Sequence, residues 1–297
     1  LEPTGLASFR SADVADPSAT GTVFGGRMLA QMLLASTLAA GGSPEHPGSE
    51  HPGSEHPGSG HPGSGDGKAV ASIQTVFVRA APSARPLEID VEALHAGRTV
   101  AAQTLTVRQG DRCCARALVL RQSDHPDVIR HTAAPPSIDG PDEAVPATFA
   151  GLVPAGTEVR VVGGVDTWDP QAPTGPPELF VWLRLPALAL GDLPPAAVAQ
   201  ALLAFASDGF LIGAAMRPHA GIGQDMAHRS LSTGVLAHNL TFHEQVPTGA
   251  WLRMAQESTY AGRGRAQGRG QVFTDDGALV ASFGQDSIIR DDSRSQT

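Results

Sequence analysis

The chain has 297 residues, of which 41% are hydrophobic and 17% charged, and its formal net charge at pH 7 is −9. This length is enough for a large core and favours two domains. The negative charge argues against nucleic acid, whose phosphates need a basic surface. Neighbouring Cys113 and Cys114 exclude a disulfide scaffold. No apolar stretch approaches the roughly 20 residues of a membrane helix, and no leader is recognisable. We therefore expect a cytoplasmic protein without stable membrane insertion.

The first half of the chain is predicted to be one helix followed by antiparallel strands. Apolar residues recur at helical spacing from Gly26 to about Leu38. Residues 43–67 then form a low-complexity loop of EHPGS repeats, in which regular proline prevents a helix or central strand. Strands are predicted after it over 71–79, 87–94, 100–108 and 113–122. We expect a solvated loop here, and its histidines are not interpreted as a metal site.

The second half repeats this order after a linker rich in proline, glycine and aspartate. The linker spans residues 133–177. A helix is predicted from Pro195 to about Phe210, and strands follow over 235–243, 251–260, 268–274 and 279–289. A long helix followed by an antiparallel meander predicts an α+β layer in which the sheet wraps the helix.

The two halves also echo each other residue by residue. AQMLLA at residues 30–35 recurs as AQALLA at 199–204, an offset of 169. At a second, constant offset of 165, four residues recur in order: Phe77, Pro82, Gly97 and Arg98 match Phe242, Pro247, Gly262 and Arg263. Ordered echoes at similar offsets indicate an internal duplication. We therefore predict domains over residues 1–132 and 178–297.

Several segments resemble one known family. Phe24-Gly25-Gly26 opens the first helix, Ala206-Ser207-Asp208 ends the second, and the segment from Asp276 to Gln285 reads DGALVASFGQ. In this order and spacing they are similar to the acyl-CoA thioesterase II (TesB-type) family. The resemblance implies two fused hotdog domains, an acyl-CoA substrate, thioester hydrolysis, a homo-oligomer, and no metal or redox cofactor.

The resemblance also implies a catalytic set in which a carboxylate, a hydroxyl and a glutamine hold one water. By position, the carboxylate is Asp208 and the glutamine is Gln285. A water that a carboxylate orients and partly deprotonates can attack a thioester carbonyl without a nucleophilic serine. Backbone N–H groups at a helix N-terminus, here at Gly26, can stabilise the developing oxyanion.

The hydroxyl position departs from the family pattern. Counting back without gaps from Phe242-His243 places it on Val235, and the aspartate of the family's DHxxWFH segment falls on Ala237. Thr233 lies two residues earlier on the same strand face, about 6.6 Å further along. A slip of one or two residues would bring Thr233 or Ser232 into place, and Thr233 is the candidate hydroxyl.

Four further residues are candidates for binding substrate. Met28 and Met32 are expected to line an acyl channel beside the first helix, and His238 belongs to the segment that resembles DHxxWFH. Arg263, in an arginine-rich stretch, is a candidate for the phosphates of coenzyme A, although a solvated arginine-rich turn explains the same residues. The histidines show no metal-ligand spacing such as HExxH, so we predict no metal site.

Two other functions remain open on the sequence. Val235 and Ala237 favour a degenerate hotdog protein that binds acyl-CoA without hydrolysing it. A hotdog hydratase or dehydratase ranks third, because no His-Asp or His-Glu pair stands out in the helical stretches.

Overall fold

A computed structural model describes residues 1–5, 7–11, 21–41, 66–149 and 151–292. The predicted low-complexity loop lies outside the described residues apart from its last two positions. Three α-helices are described: α1 (Gly25–Gly41), α2 (Pro195–Ser207) and α3 (Leu211–Met216). The described strands of the first half are β1 (Glu2–Pro3), β2 (Ser8–Arg10), β3 (Ala69–Phe77), β4 (Glu88–Ala96), β5 (Val100–Gln109) and β6 (Arg112–Gln122). The remaining described strands are β7 (Val145–Ala147), β8 (Glu158–Val161), β9 (Glu178–Arg184), β10 (Leu231–Phe242), β11 (Trp251–Gly262), β12 (Arg265–Thr274) and β13 (Leu279–Asp291).

All of these strands form one antiparallel sheet whose two halves mirror each other. The strand order is β1-β2-β4-β5-β6-β3-β10-β13-β12-β11-β9-β8-β7. On either side of the β3–β10 seam, four strands follow in equivalent order, β3-β6-β5-β4 and β10-β13-β12-β11. The sequence echoes fall on equivalent places, since Phe77 ends β3 and Phe242 ends β10. The predicted duplication and the α+β architecture of two fused, helix-wrapping sheets are confirmed.

The helices meet inside the sheet at a glycine. The inward face of α1 carries Met28, Leu29, Met32 and Leu33, each 3% exposed or less. At the start of α1, a Cβ on Gly26 would lie 2.2 Å from the backbone oxygen of Phe205 in α2. Only glycine permits this approach, so α1 begins where α2 ends and the two termini lie side by side.

The second helix ends earlier than its apolar pattern predicts. It stops at Ser207, Asp208 is its C-cap, and a separate helix α3 begins at Leu211. The whole apolar stretch Pro195–Met216 spans 22 residues, long enough by length and composition to cross a membrane, and 72% of its most apolar window is buried inside the fold. The expectation that no apolar stretch reaches membrane length is therefore wrong. The apolar character of this stretch belongs to the core.

The segment between the halves covers the outer face of the second half of the sheet. Its strands β7 and β8 extend that edge through β9. Backbone oxygens before β7 accept hydrogen bonds from the sheet: Trp182 Nε1 donates to Asp139 O at 2.9 Å, and Arg253 Nη1 donates to Pro136 O at 2.7 Å. Trp182 is consequently only 1% exposed although its side chain points away from the helices. The first half has no such cover among its described residues, a contrast taken up in the Discussion.

Candidate active site

The carboxylate of Asp208 is buried between the two halves. Its side chain is 1% exposed. On one side it contacts the beginning of α1, where a Cβ on Gly25 would lie 2.6 Å from Asp208 Oδ2 and 3.2 Å from Phe77 Cζ. Gly25 therefore has to be glycine for the carboxylate to lie against this helix terminus. Neither carboxylate oxygen has a partner with hydrogen-bond geometry among the described residues.

Burial changes the acidity of this carboxylate. Desolvation raises the pKa of Asp208 to about 7, and the backbone N–H of Gly26 acts in the opposite direction by favouring the charged form. A carboxylate with a pKa near neutrality exchanges a proton readily under physiological conditions, as a general base must. A strongly perturbed buried carboxylate at an interface between domains is typical of functional sites.

A buried histidine connects Asp208 to the glutamine. His238 on β10 pairs across the strands with Gln285 on β13. Its Nδ1 lies 3.2 Å from Gln285 Oε1 and 3.6 Å from Asp208 Oδ1. Its Nε2 lies 3.0 Å from Ser207 Oγ, and its ring stacks on Phe283 at 5.7 Å between centroids. The fold thus brings together three sequence candidates, Asp208, His238 and Gln285.

The protonation states make this a hydrogen-bond network rather than an ion pair. Burial lowers the pKa of His238 to about 4, so the imidazole is neutral wherever Asp208 is ionised. With its proton on Nδ1, His238 donates to Gln285 Oε1, and the Ser207 hydroxyl is shared between His238 Nε2 and the backbone oxygen of Ala204. Gln285 Nε2 then donates to Ser287 Oγ at 3.0 Å. Each bond fixes the next, so the amide of Gln285 is held in one orientation.

The structure does not bring Thr233 to the carboxylate. His238 pairs with Gln285, Val235 pairs with Ser287, and Thr233 pairs with Ile289, four positions along β13 from Gln285. At about 3.3 Å per residue this separation is about 13 Å. Ser287 is a buried hydroxyl that sequence reasoning missed. Its spacing from Gln285 could have revealed it, because Ser287 lies two residues further along the strand and residues two apart share a face.

The remaining candidates lie away from the carboxylate or inside the core. Met28 and Met32 are 3% and 0% exposed within the continuous hydrophobic core. Gly26 is at the helix contact described above. Arg263 lies in the β11–β12 turn with a φ of 54°, five residues along from Gly268, which pairs with Gln285, or about 17 Å. Within the described residues, no group of three or more His, Cys, Asp or Glu is placed to hold a metal ion.

The fold and the site define a double-hotdog protein with a buried carboxylate, histidine and glutamine at the seam between its halves. Family models agree with this: an acyl-CoA thioesterase N-terminal domain matches residues 14–122, and an acyl-CoA thioesterase C-terminal domain matches residues 131–289. The chain belongs to the acyl-CoA thioesterase family, and its resemblance to the thioesterase II, TesB-type members is confirmed.

Individual relatives share part of the sequence or the whole fold. Acyl-CoA thioesterase 2 of Haemophilus influenzae is 30% identical over 116 residues, which are 39% of this chain and 38% of that protein. An acyl-CoA thioesterase II, TesB2, from Mycobacterium marinum superposes with a TM-score of 0.72 at 23% identity, covering 99% of this chain and 97% of its own. A protein with a hot dog fold from Alicyclobacillus acidocaldarius gives a TM-score of 0.66 at 18% identity, covering 95% and 93%. The match to the curated relative thus spans less than half of either chain, whereas the fold extends over the whole.

Proposed function

We propose that the chain hydrolyses acyl-CoA thioesters to a free acid and coenzyme A, using a water that Asp208 activates. The observation that carries this proposal is the carboxylate itself. It is buried, its pKa is about 7, and within the described residues neither of its oxygens has a partner with full hydrogen-bond geometry, although the backbone N–H of Gly26 favours its charged form. A buried carboxylate free to accept a proton from water, beside a helix N-terminus and a fixed glutamine, suits water attack on an electrophilic carbonyl.

The proposed reaction balances without a covalent enzyme intermediate. Asp208 takes a proton from water while the water oxygen bonds to the thioester carbonyl carbon. The carbonyl oxygen becomes an oxyanion, which the backbone N–H groups in the first turn of α1 stabilise. The C–S bond then breaks, the carbonyl re-forms, and the sulfur of coenzyme A receives the proton that Asp208 holds. The products are the carboxylic acid and CoA-SH.

Gln285 and His238 have different tasks in this scheme. Gln285 orients the water, since its amide is held beside the carboxylate by His238 and Ser287. His238 is 1% exposed and enclosed by Ser207, Phe283 and Gln285. We therefore assign His238 as a positioning residue for Gln285, not as a group that touches the acyl-CoA.

The structure supplies one observation in favour of each alternative function. Val235 leaves the family's hydroxyl position apolar, which favours acyl-CoA binding without turnover. The 3.6 Å approach of His238 to Asp208 is the kind of pair that a hydratase needs, and the two lie too far apart in sequence to be recognised as one. Because His238 is enclosed and its pKa is about 4, it is a poor proton donor or acceptor for a substrate at neutral pH.

The decisive experiment compares thiol release by wild type, Asp208→Asn and Asp124→Asn over acyl-CoA substrates of increasing chain length. Asp124 is exposed and serves as the matched carboxylate control. We expect kcat to fall by roughly 10²- to 10⁴-fold in Asp208→Asn, the contribution of a general base, and to stay unchanged in Asp124→Asn. Saturable binding with no turnover by wild type would overturn the hydrolase in favour of a binding protein. Hydration of an enoyl-CoA, measured as a change in ultraviolet absorbance, would favour the hydratase.

We also propose that the protein is a homo-oligomer that acts in the cytoplasm, where acyl-CoA is formed and consumed. Support for the oligomer comes from the outer face of the first half of the sheet. There Val76, Leu118 and Leu120 are 56%, 49% and 39% exposed on adjacent strands β3 and β6. Contiguous exposed apolar side chains of this kind are typical of an interaction surface. Cell fractionation tests the location, and the oligomer is tested as described in the Discussion.

A further inference from the structure

One more polar atom at the seam lacks a partner. Thr75 on β3 is 3% exposed, and its hydroxyl has no hydrogen-bond partner among the described residues. Thr75 pairs directly with His238 across the β3–β10 seam. Directly opposed residues of an antiparallel pair have Cβ atoms about 4.5–5.5 Å apart and share a face of the sheet. The Thr75 hydroxyl therefore lies beside the imidazole that itself lies beside Asp208.

The same face of β3 reaches Asp208 independently. Thr75 and Phe77 are two residues apart and point to the same side of the sheet. A Cβ on Gly25 would lie 3.2 Å from Phe77 Cζ and 2.6 Å from Asp208 Oδ2, so the Phe77 ring and the carboxylate lie close together. From the neighbouring strand, His238 Nδ1 lies 3.6 Å from Asp208 Oδ1. Thus β3 and β10 border the carboxylate together, and the unpartnered hydroxyl and carboxylate oxygens belong to the same buried region.

The other hydroxyls near the carboxylate are already engaged or too distant. Ser207 Oγ lies 2.9 Å from Ala204 O and 3.0 Å from His238 Nε2. Ser287 Oγ accepts from Gln285. Thr233 is about 13 Å along the sheet, as shown above. A buried hydroxyl without any partner destabilises the fold and calls for a functional explanation.

We propose that Thr75, from the first half of the chain, provides the hydroxyl that holds the attacking water together with Asp208 and Gln285. The inference rests on the proposed hydrolase function and completes its catalytic set, in which Val235 occupies the expected hydroxyl position. A water has two hydrogens and two lone pairs. One hydrogen goes to Asp208 and the second to Gln285 Oε1, while the Thr75 hydroxyl donates to one lone pair. The other lone pair is thereby left pointing at the carbonyl carbon. The site is then built from both halves.

The test compares Thr75→Val, which keeps the shape and removes the hydroxyl, with Thr75→Ser, which keeps the hydroxyl. Thr233→Val is the matched hydroxyl deletion elsewhere on the inner face. We expect kcat to fall about 10- to 1,000-fold in Thr75→Val, the usual effect of losing one such donor. Thr75→Ser should stay within about threefold of wild type, and Thr233→Val within about twofold.

Two further readouts distinguish catalysis from a structural effect. Thr75→Val removes an unpartnered buried hydroxyl, so its melting temperature should equal or exceed that of wild type. The Thr75 hydroxyl polarises the water that bonds Asp208, and hydrogen bonds to the charged form lower a carboxylate pKa. Removing that hydroxyl should therefore also move the acidic limb of kcat/KM to higher pH. A structural role would leave that limb in place.

Each result decides the proposal. Wild-type kcat and an unmoved pH profile in Thr75→Val, with Asp208→Asn inactive, would overturn the role of Thr75 while leaving the hydrolase intact. A loss of activity that appears in Thr233→Val and not in Thr75→Val would assign the hydroxyl to Thr233 instead. No turnover by wild type would overturn the proposed function and this inference with it. If Thr75→Val melts below wild type, the comparison of Thr75→Ser with Thr75→Ala decides.

Discussion

The two halves share one fold and differ at a buried pair of positions in the middle of the sheet. In the second half, His238 pairs with Gln285 across β10 and β13. The equivalent pair in the first half is Ile73 with Val119, across β3 and β6, and Ile73 lies at the same offset of 165 that relates the sequence echoes. All four side chains are 2% exposed or less. The same buried positions thus carry apolar side chains in the first half and a polar network in the second.

This difference favours the second half as the source of the polar pair in the proposed site. Apolar residues fill a buried pair of positions without further requirements, whereas an imidazole and an amide stabilise the fold only when every polar atom finds a partner. The second half provides those partners through Ser207 and Ser287. We infer that the polar pair is retained for the reaction, because Ile73 and Val119 show that the fold does not need it.

The strongest test of this comparison makes the second half like the first. In the double variant His238→Ile, Gln285→Val we expect kcat to fall at least about 100-fold, because the water loses its orienting amide. Stability at pH 7 should be kept or increased, since replacing both partners of a buried network by apolar groups of similar shape is nearly neutral. The measurements are thiol release and urea denaturation. Strong destabilisation with activity retained would contradict the comparison.

The pH dependence of stability sharpens the same test. The pKa of Asp208 is raised from 3.8 to about 7, so its contribution to stability is present below about pH 4 and lost as the pH rises through 7, roughly 4 kcal/mol in all. The pKa of His238 is lowered from 6.5 to about 4, so its contribution is present above pH 6.5 and lost as the pH falls through 4, roughly 3 kcal/mol. These contributions oppose each other in wild type.

Single and double variants should therefore show opposite slopes. Between pH 4 and 6.5, Asp208→Asn should gain stability as the pH rises, because only the His238 contribution remains. The double variant should lose stability over the same range, because only the Asp208 contribution remains. Urea denaturation of each variant at several pH values measures both slopes. Parallel curves would mean that the two groups titrate in the folded state as they do in the unfolded chain.

Much of the fold could be predicted from the sequence because the inner face of the sheet is regular. Along β5 every second residue is buried, from Ala101 to Gln109, and such alternation predicts a half-buried strand directly. Strand β9 was not predicted, because its outward Trp182 is as apolar as its inward neighbours and removes the alternation. That residue is buried only because the segment from Pro136 to Asp139 crosses it, a contact that no local pattern contains.

The residues of the proposed site could be chosen from the sequence only where residue identity was sufficient. Asp208 and Gln285 could be found from motifs, but the hydroxyl could not. The alignment by counting leads to Val235 and Thr233, whereas the register of β10 shifts between Val235 and Ala237. Thr75 reaches the site through the seam pairing with His238, 163 positions away in the chain. Pairing over such a separation depends on the whole topology, which hydrophobic periodicity does not specify.

Substitutions of two adjacent glycines distinguish what the site requires from what the fold requires. Their expected effects on kcat and stability are smaller than the effect of the double variant on kcat. In Gly25→Ala the new Cβ would lie 2.6 Å from Asp208 Oδ2, so the carboxylate must move; in Gly26→Ala it would lie 2.2 Å from the Phe205 backbone oxygen, so α1 and α2 must separate. We expect kcat to fall roughly 10- to 100-fold in Gly25→Ala with little change in stability. Gly26→Ala should cost about 1–3 kcal/mol of unfolding free energy. Measuring kcat and urea denaturation for both variants tests this, and an equal loss of stability in both would refute the distinction.

The outer faces of the two halves give the second contrast. The segment between the halves covers the second half and buries Trp182, while the first half leaves Val76, Leu118 and Leu120 exposed. These three residues define the bare face of the sheet. A second copy of the chain is the occupant that a homo-oligomer implies, and a two-fold contact would bring the bare face against its own equivalent.

A charge placed in the bare face should break such a contact with no effect on the chemistry. Leu118→Glu puts a carboxylate opposite its own copy, and desolvating it there is costly, so we expect wild type to be an oligomer and the variant a monomer at micromolar concentration. Val128→Glu is the control, because Val128 is 97% exposed and lies outside the bare face. Size-exclusion chromatography with light scattering measures both. The kcat per chain should change less than about twofold, since every residue of the proposed site lies on the inner side of the sheet.

Two results would contradict this contact. A monomeric wild type would show that no second copy binds the bare face, and an oligomeric Leu118→Glu would show that the copies meet through another surface. A large loss of activity on dissociation would show that the seam needs a neighbouring copy to keep its geometry.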